Sequence, residues 1–214
     1  MIKRQLLLFV SLLFCFSCAS QKKEIIVKSN IKLEGINTNI RNLIEIDGYY
    51  VCPDYPQYGS YMFFEDGTWV YFHFKRNLSE NEIRADMSEA VRSWIEDKQL
   101  RWGSYWGVYK IENDMLIVHS YDKGNFLKPW RLGENRYRII DRETVQRIYY
   151  RGLLKADESS YEIYSPWIDN QILHFTSADS LPSSDNWLKE EQWIWRNEQD
   201  WKNYMEKVKQ KKKK

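Results

Sequence analysis

Residues 58–75 read YGSYMFFEDGTWVYFHFK, two aromatic, β-rich runs on either side of Asp66-Gly67. Aspartate followed by glycine supplies the backbone freedom that a tight hairpin turn needs. Both faces of this hairpin are apolar. Met62, Phe64, Val70, Phe72 and Phe74 alternate with Tyr61, Phe63, Trp69, Tyr71 and His73. A ribbon with one face in water alternates apolar with polar, as Arg136-Tyr137-Arg138-Ile139 does. The 58–75 hairpin must therefore be covered twice, once by a core that the sheet encloses and once by a further layer. That requirement excludes a lone hairpin and a sheet open to solvent.

The same plan recurs. Trp102–Tyr121 is a second hairpin around Asn113-Asp114, residues that tolerate the left-handed conformation of such turns. Tyr49–Cys52 reads as a first strand stopped by Pro53 and Pro56. Phe126–Leu132 reads as a strand closed by Gly133-Glu134-Asn135, and Arg136–Ile140 with Thr144–Tyr150 as a third hairpin. Tyr161–Ile163 and Gln171–Phe175 are further strand candidates. Strands follow one another without a βαβ rhythm, which predicts a mainly β fold: an antiparallel meander curled into a small barrel. One helix interrupts it at about 79–97. Ser79 and Glu82 form a capping box there, and Ile83, Met87, Ala90, Val91, Trp94 and Ile95 follow at helical spacing. A C-terminal helical segment, about 185–208, carries Trp187, Trp195, Trp201 and Tyr204 and breaks near Asn197. It is the expected outer cover of the first hairpin.

The N-terminus is an address. Lys3 and Arg4 precede the apolar run Leu6–Phe16. Eleven helical residues reach about 16 Å, half of a hydrocarbon core of roughly 30 Å, so the segment reads as a cleaved signal peptide, residues 1–17. Leu12-Leu13-Phe14-Cys15-Phe16-Ser17-Cys18-Ala19 resembles the end of a bacterial lipoprotein signal peptide. The resemblance implies acylation of Cys18, which becomes the new N-terminus. Ala19 beside it implies delivery to the outer membrane of a Gram-negative envelope. Residues 18–44 then read as a lipid-anchored tether. After maturation Cys52 is the one free thiol, so no disulfide forms within the chain.

Gly48-Tyr49-Tyr50, the Phe64–Trp69 turn, and Trp106–Ile111 before Leu116-Ile117-Val118 resemble lipocalin-like domains of bacterial lipoproteins over residues 45–150. Tyr50 stands where lipocalins carry the tryptophan of Gly-x-Trp. The resemblance implies a barrel that holds a small apolar molecule in its mouth; the 79–97 helix departs from the simple pattern and, if the barrel is a binding module, is expected to lie over that mouth as a cap. Residues 151–214 are then an extension packed on the barrel, ending in a Lys-rich run.

Signatures of catalysis are sparse. Gly103-Ser104-Tyr105-Trp106-Gly107 misses the serine-hydrolase elbow by one place, and no phosphate loop or His-Glu-x-x-His occurs. His73, His119 and His174 have no metal-ligand spacing. The expectation is a non-enzymatic protein without cofactor or metal. Without Lys3 and Arg4 the chain is formally neutral, and six lysines sit after Met205. The body is thus acidic, which argues against nucleic acid as a partner. Trp102, Trp106 and Trp130 are the candidate ligand-binding residues, since aromatic faces stack on sugars or enclose lipids. Three readings follow: a membrane-tethered module for an apolar ligand, an envelope scaffold with a filled barrel and a protein partner, and a carbohydrate-binding module.

Overall fold

The computed structural model of the chain describes residues 22–35, 38–54, 59–72, 79, 81, 82, 85, 89, 105–123, 130–155, 170–179 and 181–213. Within them an eight-stranded antiparallel meander closes into a barrel, each strand pairing with its sequence neighbours and the last with the first. The strands are β1 (Gly48–Val51), β2 (Ser60–Phe63), β3 (Thr68–Phe72), β4 (Tyr105–Glu112), β5 (Met115–Asp122), β6 (Arg131–Ile139), β7 (Thr144–Lys155) and β8 (Gln171–Ser177). Helix α1 covers 22–28, and α2 is Glu198–Lys211. The first seventeen residues, Cys18 and Trp102 lie outside the described residues. Of the predicted 79–97 helix, Ser79 caps as expected: its hydroxyl accepts from the Glu82 N–H at 3.4 Å, and the Glu82 carboxylate accepts from the Ser79 N–H at 2.8 Å. Most of the rest of that helix lies outside the described residues.

The turn chemistry works as the residue types require. Gly67 adopts φ 87° and Asn113 φ 56°, left-handed positions that a branched side chain resists. On the first hairpin, Tyr61, Phe63, Trp69 and Tyr71 point into the barrel, with Tyr50, Tyr109, Leu116, Val118, Tyr137, Val145 and Leu173 from other strands. Met62, Phe64 and Val70 point outward into a second core. Gly107 is paired with Trp69, and a Cβ there would lie 3.0 Å from the indole and 2.4 Å from the His119 carbonyl. The glycine is what lets the ring lie flat against β4.

The outer layer differs in detail from the expected helix. Residues 187–190 and 192–194 form 3-10 turns, and Leu188 and Ile194 are fully buried on the barrel. The chain then runs extended because Leu33 bridges to Trp195: the Leu33 N–H donates to the Ile194 carbonyl at 2.8 Å, and Arg196 N–H returns a bond to Leu33 at 2.8 Å. Only after Asn197, whose side chain caps Gln199, does α2 begin, and none of its residues is buried. Lys189, 5% exposed, anchors the layer by a 2.5 Å ion pair with Asp66 in the β2–β3 turn, and Ser184 donates to the same carboxylate at 2.6 Å.

Three expectations change. The Gly133-Glu134-Asn135 stretch does not turn. It runs inside β6 because β5 and β7 hydrogen-bond to it on both sides, and register shifts at Leu132/Glu134 and Arg136/Tyr137 absorb the irregularity. Barrel closure needs more chain than 45–150, since β7 continues to Lys155 and β8 supplies the strand that meets β1. The segment 18–44, expected as a tether, is docked from residue 22 onward: Ile25, Ile31 and Leu33 are 0–2% exposed in the outer core. Its IKL and EII pairs provide enough apolar surface to hold it to the wall.

Candidate functional site

The two ends of the barrel are unlike. Short turns join β2 to β3, β4 to β5 and β6 to β7 at one end. Beneath it, Ile40, Ile44 and Ile46 close the lumen with exposures of 0–5%. Thr38 N–H donates to Glu65 at 2.7 Å, Glu45 N–H to Arg142 at 2.7 Å, and Tyr50 Oη to the Glu45 carbonyl at 2.8 Å. Arg41 holds Asp47 at 2.7 Å and also bonds Glu65. The floor is thereby stitched to two of the turns. The opposite end, where the longer connections 52–59, 73–104, 123–130 and 156–170 leave and enter the strands, is called the mouth.

Inside, the character changes along the axis. Near the floor the filling is Phe63 with Tyr50, Tyr109 and Tyr137 edge-on at 5.7–5.9 Å. Toward the mouth stands Arg147 on β7, 4% exposed. It faces Gln171 across the β7–β8 ladder and bonds its amide oxygen. Its other nitrogen crosses the lumen to Tyr61 Oη on β2, at 2.8 Å. The guanidinium lies 5.8 Å from the Tyr61 ring and 5.3 Å from the Tyr150 ring, cation–π distances. A parallel stack continues outward: Tyr61 on Tyr71 at 5.1 Å, and Tyr71 on Tyr105 at 6.0 Å with 6° between planes.

Burial opposes the charge of Arg147, but the surrounding phenol oxygens outweigh it and hold the guanidinium above its usual range. Burial pushes the Tyr61, Tyr71 and Tyr137 phenols up. All of these hydroxyls are therefore neutral donors at physiological pH. Among the described residues, three buried polar atoms inside the barrel lack a hydrogen-bond partner: Tyr137 Oη, Trp69 Nε1 and Asn135 Oδ1. Their side chains are 0%, 2% and 4% exposed. An unpaired buried polar group costs roughly 1–3 kcal/mol, so these atoms and the buried guanidinium make the aromatic lumen locally polar.

This cluster was not evident as a site in the sequence. Its signal was a lone arginine in an otherwise apolar stretch, Val145-Gln146-Arg147-Ile148-Tyr149-Tyr150, together with tyrosines on one face of the first hairpin. The residues singled out from sequence sit elsewhere. Trp106 and Trp130 are both 4% exposed and point out of the barrel. Trp106 stacks on Phe64 at 6.0 Å, and Trp130 meets Trp187 and Trp193 edge-on at 5.9 and 6.4 Å. Both belong to the outer core. His119 is buried, with Nε2 3.7 Å from Glu134, while His174 is exposed at the closed end.

A second concavity, about 520 Å³, opens at the closed end between Glu45, Asp141, Arg142, Glu143, His174 and Phe175. Its charges are largely satisfied internally, with Arg142 on Glu45 at 2.5 Å.

Comparison with protein-family models, with curated proteins and with solved structures finds no match to this chain. The fold and its interior define the class: a closed, eight-stranded antiparallel meander barrel with a floor, a mouth and a polar cluster near the mouth.

Proposed function

We propose that the chain is a lipid-anchored protein of the bacterial envelope whose barrel is a lipocalin-like binding module. Its ligand is a small, largely apolar molecule taken in at the mouth, and it carries one oxygen-bearing group. Tyrosine rings receive the apolar body, while Arg147, Tyr137 and Trp69 receive the oxygen atoms. The observation that supports this reading is the pair of buried donors, Tyr137 Oη and Trp69 Nε1, left without acceptors among the described residues, both rings packing on the Tyr61 that bonds Arg147. A barrel evolved only as a solid wall gains nothing from desolvating them. The module binds and does not catalyse, and its membrane partner is reached through acylated Cys18.

The scaffold reading draws support from the middle of the lumen, where Tyr61 packs on both Trp69 and Tyr137 with ring centres 5.8–5.9 Å apart. A carbohydrate module would need exposed coplanar tryptophans, and Trp69, Trp106 and Trp130 are at most 4% exposed.

The test is extraction of the full chain from a Gram-negative envelope in mild detergent, followed by organic extraction and mass spectrometry. The expected result is a diacylglyceryl mass on Cys18 and a near-stoichiometric small molecule that is depleted in Tyr137→Phe. A folded wild-type protein with no copurifying molecule refutes the binding module and leaves the scaffold.

A further inference from the structure

The path of the docked N-terminal segment has a geometric consequence for the membrane. Residue 22 sits at the mouth. Lys22 Nζ pairs with Glu191 at 2.7 Å and lies 5.1 Å over the ring of Trp130, which immediately precedes β6 at the mouth end. Lys123, just after β5 at that same end, lies 5.5 Å over Trp187. Ser29 bonds Tyr121 Oη near the mouth, whereas Leu33 packs beside Gly67 in a closed-end turn. The segment 22–33 thus descends the outer wall from mouth to floor. The chain then passes beneath the barrel as the 40–46 floor and enters β1.

We infer that the mouth of the barrel faces the bilayer that carries the Cys18 lipid, and that the rim around α1 is a membrane-contact surface. The inference rests on the acylation of Cys18 proposed above. Four peptide steps separate Cys18 from Lys22, and a fully extended chain covers at most about 3.6 Å per step, hence about 14 Å. An eight-residue strand such as β5 is roughly 26 Å long and, at the usual barrel tilt, spans roughly 20 Å of height. With the barrel inverted, residue 22 would stand farther from the headgroups than the linker reaches.

The rim has the chemistry of an interfacial contact. Lys23 and Lys28 are exposed on α1, and Val27 is 80% exposed, the most exposed large apolar side chain among the described residues. Lysines that flank an apolar residue suit anionic headgroups above an acyl boundary. Beside them, Lys22 lies over Trp130, Lys32 over Trp193 and Lys123 over Trp187, and Trp130 meets Trp187 and Trp193 edge-on. The C-terminal lysines are on the other side: Lys211 pairs with Asp185, next to the Ser184 that bonds Asp66 in a closed-end turn. In this orientation they point away from the anchoring leaflet. A ligand of the barrel then arrives from the lipid phase or its headgroup layer.

The test uses the acylated full chain in vesicles of phosphatidylethanolamine and phosphatidylglycerol that contain a nitroxide-headgroup lipid. Single labelling cysteines replace Asp54 or Lys123 at the mouth, and Asp114 or Glu143 at the closed end, in a Cys52→Ala background. The acyl mass on Cys18 is verified first, and thermal melts check each fold. A label at the mouth is expected to be quenched at least threefold more than one at the closed end. Ten Gly/Ser residues inserted before Lys22 should shrink that ratio toward one. Equal quenching at both ends, or deeper quenching at the closed end, in a verified acylated protein overturns the orientation alone. Absence of the acyl mass overturns the anchoring and the orientation together.

Discussion

The floor half and the mouth half of the barrel are walled by the same strands but filled on different terms. Near the floor, aromatic and aliphatic side chains meet edge to face, and nearly every polar atom is spoken for: Tyr109 Oη donates to the Phe64 carbonyl at 2.6 Å, and Tyr50 Oη reaches both Glu45 and Arg142. Beyond Phe63 toward the mouth, Arg147 is buried, and Tyr137 and Trp69, which border Phe63, keep donors without a partner among the described residues. The closed half does the work of stability. The other half carries a desolvation cost that its described contacts leave uncompensated.

The contrast can be tested by substitution. The largest effect belongs to the floor half. Phe63→Ala removes a ring that touches Tyr50, Tyr109 and Tyr137, and a urea melt should show a loss of about 3–5 kcal/mol. Ile44→Ala unpacks the floor itself, where the side chain is fully buried. Its expected loss is roughly 3 kcal/mol by the same measurement, and a near-neutral result would mean that the floor is not part of the cooperative core.

A smaller effect is expected at the outer cover. Burial raises the Asp66 carboxyl, but Lys189 and the Ser184 and Thr68 donors outweigh it and hold it below the usual range. The stability it contributes is therefore complete above the ordinary carboxylate range and is lost as acid protonates the group. Asp66→Asn should cost about 1–2 kcal/mol at neutral pH, given a carboxylate 35% exposed and a lysine 6% exposed. It should also flatten the acid limb of a stability–pH profile.

The smallest effect on stability, and the most telling, belongs to the boundary of the two halves, where Tyr137 meets both Phe63 and Tyr61. Tyr137→Phe deletes a buried hydroxyl that has no partner. Ligand-free protein should be unchanged or more stable by up to about 1 kcal/mol, while ligand retention falls. A clear destabilisation of the ligand-free variant would show that the hydroxyl is satisfied and that the two halves are filled alike.

Much of the architecture was legible in the residues, for reasons that are local. Asp66-Gly67 and Asn113-Asp114 announce their turns because those conformations admit few side chains. The two-sided aromatic hairpin announces a covered sheet because no such ribbon survives in water. What could not be read depends on partners distant in sequence. Gly133-Glu134-Asn135 has the composition of a turn, and only the flanking strands β5 and β7 keep it extended. Arg147 points inward together with Tyr150 because the β6–β7 register shifts between them, pairing Tyr137 with Arg147 and Arg136 with Tyr149. A strict alternation would have sent one of them outside. Trp106 and Trp130 attract attention as lone tryptophans, and nothing near them in the sequence tells which side of the wall is covered.

The seam between β1 and β8 also dictates when this molecule can finish folding. Tyr50 pairs with Phe175, and Leu33 with Trp195, so stretches made late in synthesis lock stretches made early. Until β8 is available, β1 and β7 are raw sheet edges, a state prone to sticking to other chains. A stop codon ahead of residue 171 should thus yield aggregates where a shortened barrel might be imagined. Whatever keeps a nascent chain from premature pairing must act until nearly its whole length is made.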